Sequence, residues 1–507
     1  MRDSSAGADK KAFRRNIENV IVGAAAFLYS LVFMFQSPLH PWIGSGSTTD
    51  SSVFRTVAFM MKNGYMPYRD TFDHKGPLLY LLNYLGESIA PELGIFLIEI
   101  LFFTATVFVL YKISRLVSSP VASGIVTLLA TSLLFTYFEG GNFTEEYAMP
   151  FIATALYIFL DYLLNDRITR LRLTLCGLGL GAVLMLRPNM IAVWIVFCVY
   201  IFIFLLQKKQ YKDLRDMVLF FLLGMTIVIV PILIWLFARK DLPSFWQDYI
   251  VFNFRYSSSE GGRATFQGQV ESFLYYAQTT VFIVSVLSLL FQLKEKKDRI
   301  LHELYILLLF LSIWLSVISG MAYGHYGMIL VPAVIYPLSL MVHKLEIIEK
   351  KRVRIVAFIL VALVALGGPL YPGWHRHLKT MKKAYVSRNE RDIKSDTNQQ
   401  TILSYIKEYT QENDKISVFG NYDLIYLESK RMHATRYSYQ DPIGTVMPEI
   451  IDEYLEELEE DLPKVIVVEK NKISQRLYTF LLTHGYTRTW SAEEGNIASD
   501  SVYVRGK

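Results

Sequence analysis

Long apolar segments alternate with short polar ones through the first 370 residues. Most of the apolar segments approach the 18–20 residues that an α-helix needs to cross a hydrocarbon core of about 30 Å. The pattern therefore predicts a polytopic α-helical membrane protein with about eleven transmembrane helices. The expected spans are residues 17–36, 93–111, 121–138, 147–164, 172–186, 189–206, 217–237, 272–292, 303–320, 326–342 and 353–371.

Basic residues are concentrated in every second polar segment, which gives the expected topology. Lys and Arg cluster at 11–15, 112–115, 167–172, 208–215, 294–299 and 350–354. Cytoplasmic loops carry an excess of Lys and Arg, so these segments are expected on the cytoplasmic side together with the N-terminus. An odd number of spans then places the C-terminal region outside the membrane.

The composition changes at about residue 373. The stretches at 398–414 and 447–461 have helical periodicity with polar faces, whereas KISVFG, KVIVVEK and SVYVRG read as strands. We therefore expect a transmembrane domain at 1–372 and an extracytoplasmic soluble α/β domain at 373–507. Its aromatic residues Tyr422, Tyr426, Tyr437 and Tyr439 could stack on sugar rings or simply pack in the protein.

Composition narrows the class further. The chain of 507 residues is 52% hydrophobic and only 19% charged, which is unlike a soluble enzyme. Its formal net charge of +5 is spread over short loops and does not indicate nucleic-acid binding. The two cysteines, Cys176 and Cys198, lie in apolar runs and read as small buried side chains.

A long first outer loop, residues 37–92, contains the densest group of reactive side chains. The segment SVFRTVAFMMKNG has helical spacing and a glycine stop, which predicts an interfacial helix with Asp50 at its N-terminal edge. LLYLLNYLG is a candidate for a second interfacial helix. Between them, PYRDTFDHKGP contains Arg69, Asp70, Asp73, His74 and Lys75.

Other outer loops contribute further ionisable residues near membrane ends, where such groups usually face a cavity or one another. They include Glu145, Glu146, Arg187, Arg255 and His325. Each also has a purely structural interpretation. Asp50 could cap a helix, Asp70 and Asp73 could pair with Arg69 or Lys75, and Glu145 and Glu146 could occupy a first turn that Thr144 caps. His74, Lys75 and His325 could simply reach towards water.

Two kinds of site need this mixture of acids and cations. In an enzyme, a carboxylate removes a proton while Lys, Arg and His bind a lipid phosphate. In a transporter, acids and histidines relay protons, and polar residues are expected inside the spans near the midplane. Here the spans are largely apolar and the polar residues collect in the outer loops. The arrangement favours an enzyme that works at the outer face.

The segments TTDSSVFRTVAFMMKNGYMPYRDTFDHKGPLLYLLNYLG, GGNFTEEYAMP and GHYGMILVPAV resemble those of bacterial GT-C glycosyltransferases. Within that superfamily the chain looks like the group related to family 39 protein mannosyltransferases and lipid A aminoarabinose transferases. The resemblance covers residues 15–372. It implies an enzyme that transfers a sugar from a polyprenyl phosphate, with inversion, to a cell-envelope glycan, lipid or protein.

The resemblance also implies roles for individual residues. Asp50 matches the catalytic base, and Glu145 and Glu146 match assisting acids of the second outer loop. The candidates for binding the donor phosphate are Lys75, His74, Arg187, Arg255, His325 and Tyr326. Arg69, Asp70 and Asp73 are expected to order the loop. No cofactor is required, although Asp50 and Glu145 could hold a divalent metal such as Mg²⁺ or Mn²⁺.

Two other functions stay open at this point. One is a transporter or flippase for a lipid-linked glycan, which would use the same basic residues without a base. The other is a non-enzymatic scaffold whose outer domain binds a partner. The expected location is the bacterial plasma membrane, with no role for nucleic acid.

Overall fold

A computed structural model describes residues 2–42, 49–258, 265–294, 298–350, 352, 354–356, 371–386, 397–441 and 443–506. The helices of the membrane part are α1 (Arg2–Phe33), α2 (Thr49–Lys62), α3 (Pro77–Ile89), α4 (Leu93–Ser114), α5 (Pro120–Thr131), α6 (Leu134–Tyr137), α7 (Thr144–Asn165), α8 (Arg170–Leu184), α9 (Ala192–Gln207), α10 (Tyr211–Ala238), α11 (Leu242–Phe245), α12 (Phe252–Ser258), α13 (Phe266–Ala277), α14 (Thr280–Gln292), α15 (Arg299–Ser316) and α16 (Leu330–Glu346). Short 3₁₀ turns occur at Met34–Gln36, Pro188–Met190 and Gly324–Ile329, and a π-helical turn at Trp246–Val251.

Within the described residues, seven helical segments are long and apolar enough to cross a membrane. They are Phe13–Gln36, Leu93–Ser114, Pro120–Tyr137, Thr144–Asn165, Tyr211–Ala238, Arg299–Ser316 and Gly324–Glu346. Each coincides with a span that the hydropathy pattern predicts. The chain is therefore a multi-pass membrane protein.

The structure differs from the sequence prediction at the other spans. Segments 172–186 and 189–206 form α8 and α9, which have 15 and 16 residues. The predicted span 272–292 is not one helix, because α13 and α14 meet at an angle of 82°. Thr279 has an extended backbone there and its hydroxyl donates to the carbonyl of Tyr276, which ends the first helix. The last predicted span, 353–371, lies almost wholly outside the described residues.

Close backbone approach holds α8 against α10. Gly177 lies so near the partner helix that a Cβ added to it would be 1.8 Å from the carbonyl oxygen of Phe221. Small residues allow this kind of packing in membranes, where apolar side chains gain nothing by leaving lipid. The segment that follows α8 carries Arg187.

Residues 49–89 contain the helices α2 and α3, which pack on each other through a buried ion pair. Nε of Arg55 lies 2.8 Å from Oε1 of Glu87, and the two side chains are 5% and 8% exposed. Arg55 also lies 3.3 Å from Glu92, just before α4. Arg55 therefore links α2 both to α3 and to the start of α4.

We expect Arg55→Met to lower the free energy of unfolding by about 3 kcal/mol, because Glu87 would keep a buried charge without its main partner. The control is Arg299→Met. Its partner Glu303 lies 2.8 Å away, but both side chains are about half exposed, so we expect a loss under about 0.5 kcal/mol. Thermal unfolding in detergent compares the two variants, and equal losses would contradict the prediction.

The last part of the chain contains a four-stranded mixed sheet. Its elements are α17 (Tyr371–Val386), α18 (Thr397–Tyr409), β1 (Ser417–Phe419), α19 (Leu424–Ser429), α20 (Ile443–Val446), α21 (Glu449–Glu460), β2 (Val465–Val468), α22 (Gln475–Thr483), β3 (Tyr486–Ser491) and β4 (Ser501–Arg505). The strand order is β1-β2-β4-β3, with β1 parallel to β2 and the other pairs antiparallel. The three segments read as strands are β1, β2 and β4. The sequence pattern does not indicate β3, an edge strand.

The sheet packs on both faces. Ile402, Val418, Ile425 and Val467 belong to a separate small core on one face. On the other face, Phe419, Ile466 and Tyr503 belong to a core that continues into the transmembrane helices. The sheet is thus joined to the membrane part by apolar packing as well as by the polar contacts described below.

Candidate active site

Successive spans run in opposite directions, so the two ends of the helix bundle carry different loops. Counted along the chain, the segments before α4, before α7, after α8 and before α16 fall at the same end. At this end, polar side chains of α2, of the segments before α3, α7 and α16, of α12 and of the C-terminal part surround a cavity of about 440 Å³. Its lining includes Asp50, Asp73, His74, Lys75, His325 and Tyr326.

A second cavity of about 260 Å³ adjoins the first. His74, Lys75, Tyr256, Ser319 and Tyr326 line both cavities, so these residues form the boundary between them. Of the two cavities, Arg187 lines only the second. A ligand at the boundary would therefore be within reach of acidic groups on one side and of a guanidinium on the other.

Asp50 lies in the first turn of α2 and is partly exposed to the larger cavity. The unpaired N–H groups at a helix N-terminus favour negative charge, so this position holds a carboxylate in a defined place. Asp50 follows Thr49 inside α2, so it lies within the first turn and not at the capping position considered from the sequence.

Lys75 and Arg187 come together because their two loops are hydrogen-bonded to each other. Gly76 donates to the carbonyl of Leu186 at 3.0 Å, and Leu78 donates to that of Met185 at 3.0 Å. A Cβ on Gly76 would lie 2.1 Å from the Met185 carbonyl oxygen, so the approach requires glycine. Gly76 is therefore needed for the contact between the two loops that brings Lys75 and Arg187 together.

His74 and Lys75 form a pair in which the imidazole is neutral. Burial lowers the pKa of His74 well below its ordinary value, and the nearby cations Lys75 and Arg187 lower it further. Nζ of Lys75 lies 2.8 Å from Nε2 of His74. A neutral imidazole accepts this hydrogen bond from the ammonium group, which leaves the other ammonium protons for a ligand.

Asp73 is buried behind this pair. Its carboxylate accepts hydrogen bonds from the hydroxyls of Tyr80 and Tyr439, both at 2.8 Å. Burial raises the pKa of Asp73, and the charge of Lys75 offsets part of that effect. The salt bridge to Lys75 considered from the sequence is replaced by these two phenols.

Arg69 and Asp70 anchor the same loop some distance from the cavity. The guanidinium of Arg69 donates to both carboxylate oxygens of Asp70, at 2.8 and 2.7 Å. The backbone N–H of Arg69 donates to Asp241 at 2.8 Å. Burial raises the pKa of Asp241 to about 7.

This shifted pKa predicts a pH-dependent effect of Asp241→Asn. Since the folded pKa of about 7 lies above the ordinary value of 3.8, the folded state binds the proton more tightly. Stability therefore falls as pH rises from about 4 to 7. We expect Asp241→Asn to raise the thermal midpoint clearly at pH 8 and by much less at pH 5. A similar change at both pH values would contradict this assignment.

The two glutamates at the start of α7 face different surroundings. Glu145 pairs with Arg187 and accepts a hydrogen bond from Thr144 at 2.8 Å. Glu146 is fully buried and accepts from the backbone N–H of Asn142 at 2.8 Å. Neither is among the residues that line the larger cavity. Phe143, and not Thr144, precedes the first turn, so the expected Thr144 cap is wrong.

His325 and Tyr326 enclose the cavity from the segment before α16. The His325 ring stacks on Phe143, and its Nδ1 lies 2.8 Å from Oε2 of Glu139. This hydrogen bond lowers the pKa of Glu139, against the effect of burial. The guanidinium carbon of Arg187 lies over the ring of Tyr326, 3.9 Å from the ring centroid.

Some placements could not be read from the sequence. Arg255 lines neither cavity, and it forms an ion pair with Glu449 of α21. Glu139, Tyr256 and Asn421 line the larger cavity although the sequence did not indicate them as site residues. Of the four tyrosines considered for stacking on sugar rings, Tyr439 lines this cavity and the other three do not. Glu139 lies next to a singled-out motif, whereas the position of Tyr439 depends on long-range docking that no local pattern indicates.

The arrangement was then compared with known proteins. Residues 19–357 match the family described as the N-terminal domain of putative competence-induced protein Ccs4. The chain belongs to this family. No curated protein sequence matches the chain.

Solved structures with the same overall fold exist. ArnT from Cupriavidus metallidurans bound to undecaprenyl phosphate is 12% identical, with a TM-score of 0.58 over 98% of this chain and 100% of that one. AglB from Archaeoglobus fulgidus, in complex with an inhibitory peptide and a dolichol-phosphate, is 13% identical, with a TM-score of 0.50 over 96% of this chain and 74% of that one. At the level of fold, these similarities confirm the expected GT-C resemblance.

Proposed function

We propose that this protein is a membrane glycosyltransferase that takes a sugar from a polyprenyl-phosphate donor. The observation that carries the proposal is the shared cavity, in which the carboxylate of Asp50 and the ammonium of Lys75 both line the wall. A base and a phosphate-binding cation are the two groups that direct transfer from a sugar phosphate needs. The structural neighbours that bind undecaprenyl phosphate and dolichol-phosphate support this choice of donor.

The donor phosphate is assigned to the boundary of the two cavities. Lys75 supplies the main charge there, and neutral His74 orients it. Arg187 and Tyr326 form the wall of the second cavity, and His325 lines the first. The Arg187 charge is shared with Glu145, so Lys75 is the cation most available to a leaving phosphate.

The reaction follows from these positions. The acceptor hydroxyl oxygen attacks the anomeric carbon while its proton passes to the carboxylate of Asp50. The bond from that carbon to the phosphate oxygen breaks, and the electron pair leaves with the phosphate, next to Lys75. Attack opposite the leaving group inverts the configuration, through a transition state with oxocarbenium character.

Asp50 and Glu145 do not form a suitable site for a divalent metal ion. Arg187 already neutralises Glu145, and a guanidinium at that carboxylate repels a second cation. Within the described ranges, no group of three or more His, Cys, Asp or Glu side chains has the geometry to hold a metal ion. A neighbouring AglB structure contains zinc and sulfate, but no step here is assigned to a metal.

The acceptor is proposed to be a cell-envelope glycan, lipid or protein at the outer face of a bacterial plasma membrane. The basic segments at 112–115, 167–172 and 208–215 lie at the bundle end opposite the cavity. The excess of cations in cytoplasmic loops then places the N-terminus inside and the cavity outside. The C-terminal sheet, which packs at the cavity end, would also be extracytoplasmic.

The test is transfer by purified protein in nanodiscs with a panel of radiolabelled polyprenyl-phosphate sugars. We expect release of polyprenyl phosphate with at least one donor, which would also identify the sugar. Absence of turnover with every donor, together with measurable binding of undecaprenyl phosphate, would instead favour a transporter or flippase. Absence of both would leave the scaffold interpretation.

A further inference from the structure

The C-terminal part of the chain supplies a section of the cavity wall. Asn421, which follows β1, and Tyr439 and Ile443 line the larger cavity together with Asp50 and Lys75. These residues lie more than 340 positions after Lys75 in the sequence. The cavity is therefore built jointly by the membrane part and by the segment next to the sheet.

Tyr439 is linked to the backbone of Lys75 by an unbroken chain of hydrogen bonds. Its hydroxyl donates to Oδ1 of Asp73 at 2.8 Å. Oδ2 of the same carboxylate accepts from the hydroxyl of Tyr80 at 2.8 Å. The Tyr80 oxygen in turn accepts from the backbone N–H of Lys75 at 3.0 Å.

This chain lies in a closed environment. Asp73 is 2% exposed, Tyr80 1% and Tyr439 5%. Asp73 and Tyr439 present only a small surface to the cavity, and a buried carboxylate is held by the donors that bond it, so the orientation of Asp73 depends on both phenols. Asp73 also precedes His74 and Lys75 directly, and its orientation therefore affects the two residues that contact the proposed phosphate.

We infer that Tyr439 is a positioning residue that holds Lys75 in place for the donor phosphate by fixing the carboxylate of Asp73. The inference rests on the proposed function, because it concerns the phosphate site of that reaction. It gives the C-terminal part of the chain a defined role, which is to complete the donor site from outside the membrane. Binding of donor should then depend on one hydroxyl from this part.

The docking of this segment does not depend on the Tyr439 hydroxyl. The backbone N–H of Phe72 donates to the carbonyl of Arg436 at 2.6 Å. Oγ1 of Thr71 lies 3.2 Å from Nε2 of His433. The guanidinium of Arg436 pairs with Asp248. Removal of one hydroxyl therefore leaves these contacts in place and isolates the effect on Asp73.

The test measures binding of undecaprenyl phosphate to the full-length protein in nanodiscs. We expect Tyr439→Phe to weaken binding about tenfold, the usual effect of removing one hydrogen bond to a charged group. The matched control is Tyr437→Phe. That hydroxyl donates to Glu453 and not to Asp73, so binding should stay within about twofold of wild type.

A double-mutant cycle with Lys75→Ala separates positioning from general destabilisation. If Tyr439 acts through Lys75, adding Tyr439→Phe to Lys75→Ala should weaken binding less than about twofold further. A full tenfold loss in that background would overturn the inference, as would wild-type binding by Tyr439→Phe alone. Failure of wild-type protein to bind undecaprenyl phosphate would overturn the proposed function and the inference with it.

If Tyr439→Phe does not accumulate as folded protein, Asp73→Asn decides the question. An amide nitrogen cannot accept a hydrogen bond, so one of the two phenol contacts is lost. Weaker binding of undecaprenyl phosphate supports the inference. Wild-type affinity in a folded Asp73→Asn protein overturns it.

Discussion

Asp50→Asn should abolish sugar transfer while it leaves folding and donor binding intact. An amide of the same shape cannot take the proton of the acceptor hydroxyl, and loss of a general base typically lowers the rate by about a thousandfold. The phosphate-binding residues, Lys75 above all, are unchanged in this variant. Transfer and undecaprenyl-phosphate binding are therefore measured on the same preparation, together with the thermal midpoint.

The control for this result is another acid in the same cavity. Glu139 lines the larger cavity, but its carboxylate is engaged with His325 and its pKa is lowered by that hydrogen bond. Such a group is a poorer proton acceptor, so Glu139→Gln should lose far less transfer than Asp50→Asn. Wild-type transfer by folded Asp50→Asn protein would exclude Asp50 as the base.

Lys75→Glu should weaken binding of undecaprenyl phosphate by about a hundredfold. Reversal of the charge replaces an attraction to the phosphate by a repulsion in a partly enclosed site, and such changes typically cost several kcal/mol. The hydrogen bond between Lys75 and neutral His74 would also be lost. Binding is measured by competition with a labelled polyprenyl phosphate, at fixed ionic strength.

Lys62→Glu provides the matched charge reversal. Lys62 ends α2 in the same outer loop, and its Nζ donates to the carbonyl of Glu87 at 2.8 Å, away from the residues that line either cavity. Donor affinity should change little in this variant. If Lys75→Glu also kept wild-type affinity, Lys75 would be better explained as a side chain that only reaches towards water.

Hydropathy alone predicts the transmembrane helices where they are long and continuous, because burial in lipid requires only length and composition. The hydropathy pattern does not predict the break at Thr279, where the backbone is extended and the hydroxyl donates to the carbonyl of Tyr276. Nor does hydropathy show that the helix α8 is shorter than the span predicted for it. Local patterns likewise indicate strands β1, β2 and β4, which contain continuous runs of buried residues, and miss the more exposed edge strand β3.

For the site, the sequence indicates which loops matter but not how their side chains combine. The outer-loop cluster of Asp73, His74 and Lys75 is visible as a motif, and the structure places all three in one cavity wall. The pairing of Glu145 with Arg187 and of Arg255 with Glu449 depends on contacts between residues 42 and 194 positions apart. Such contacts follow from tertiary packing, which periodicity does not describe.

The length of α8 has a consequence for the surrounding lipid. At 15 residues and 1.5 Å per residue, it covers about 22 Å, less than a typical hydrocarbon core of about 30 Å. In the neighbouring α10, which has 28 residues, the apolar part after Asp216 covers about 33 Å. The perimeter of this protein thus has an uneven hydrophobic height. Lipids with short acyl chains should match the side near α8. Bilayer thickness should therefore affect the position of α8, the helix that precedes Arg187.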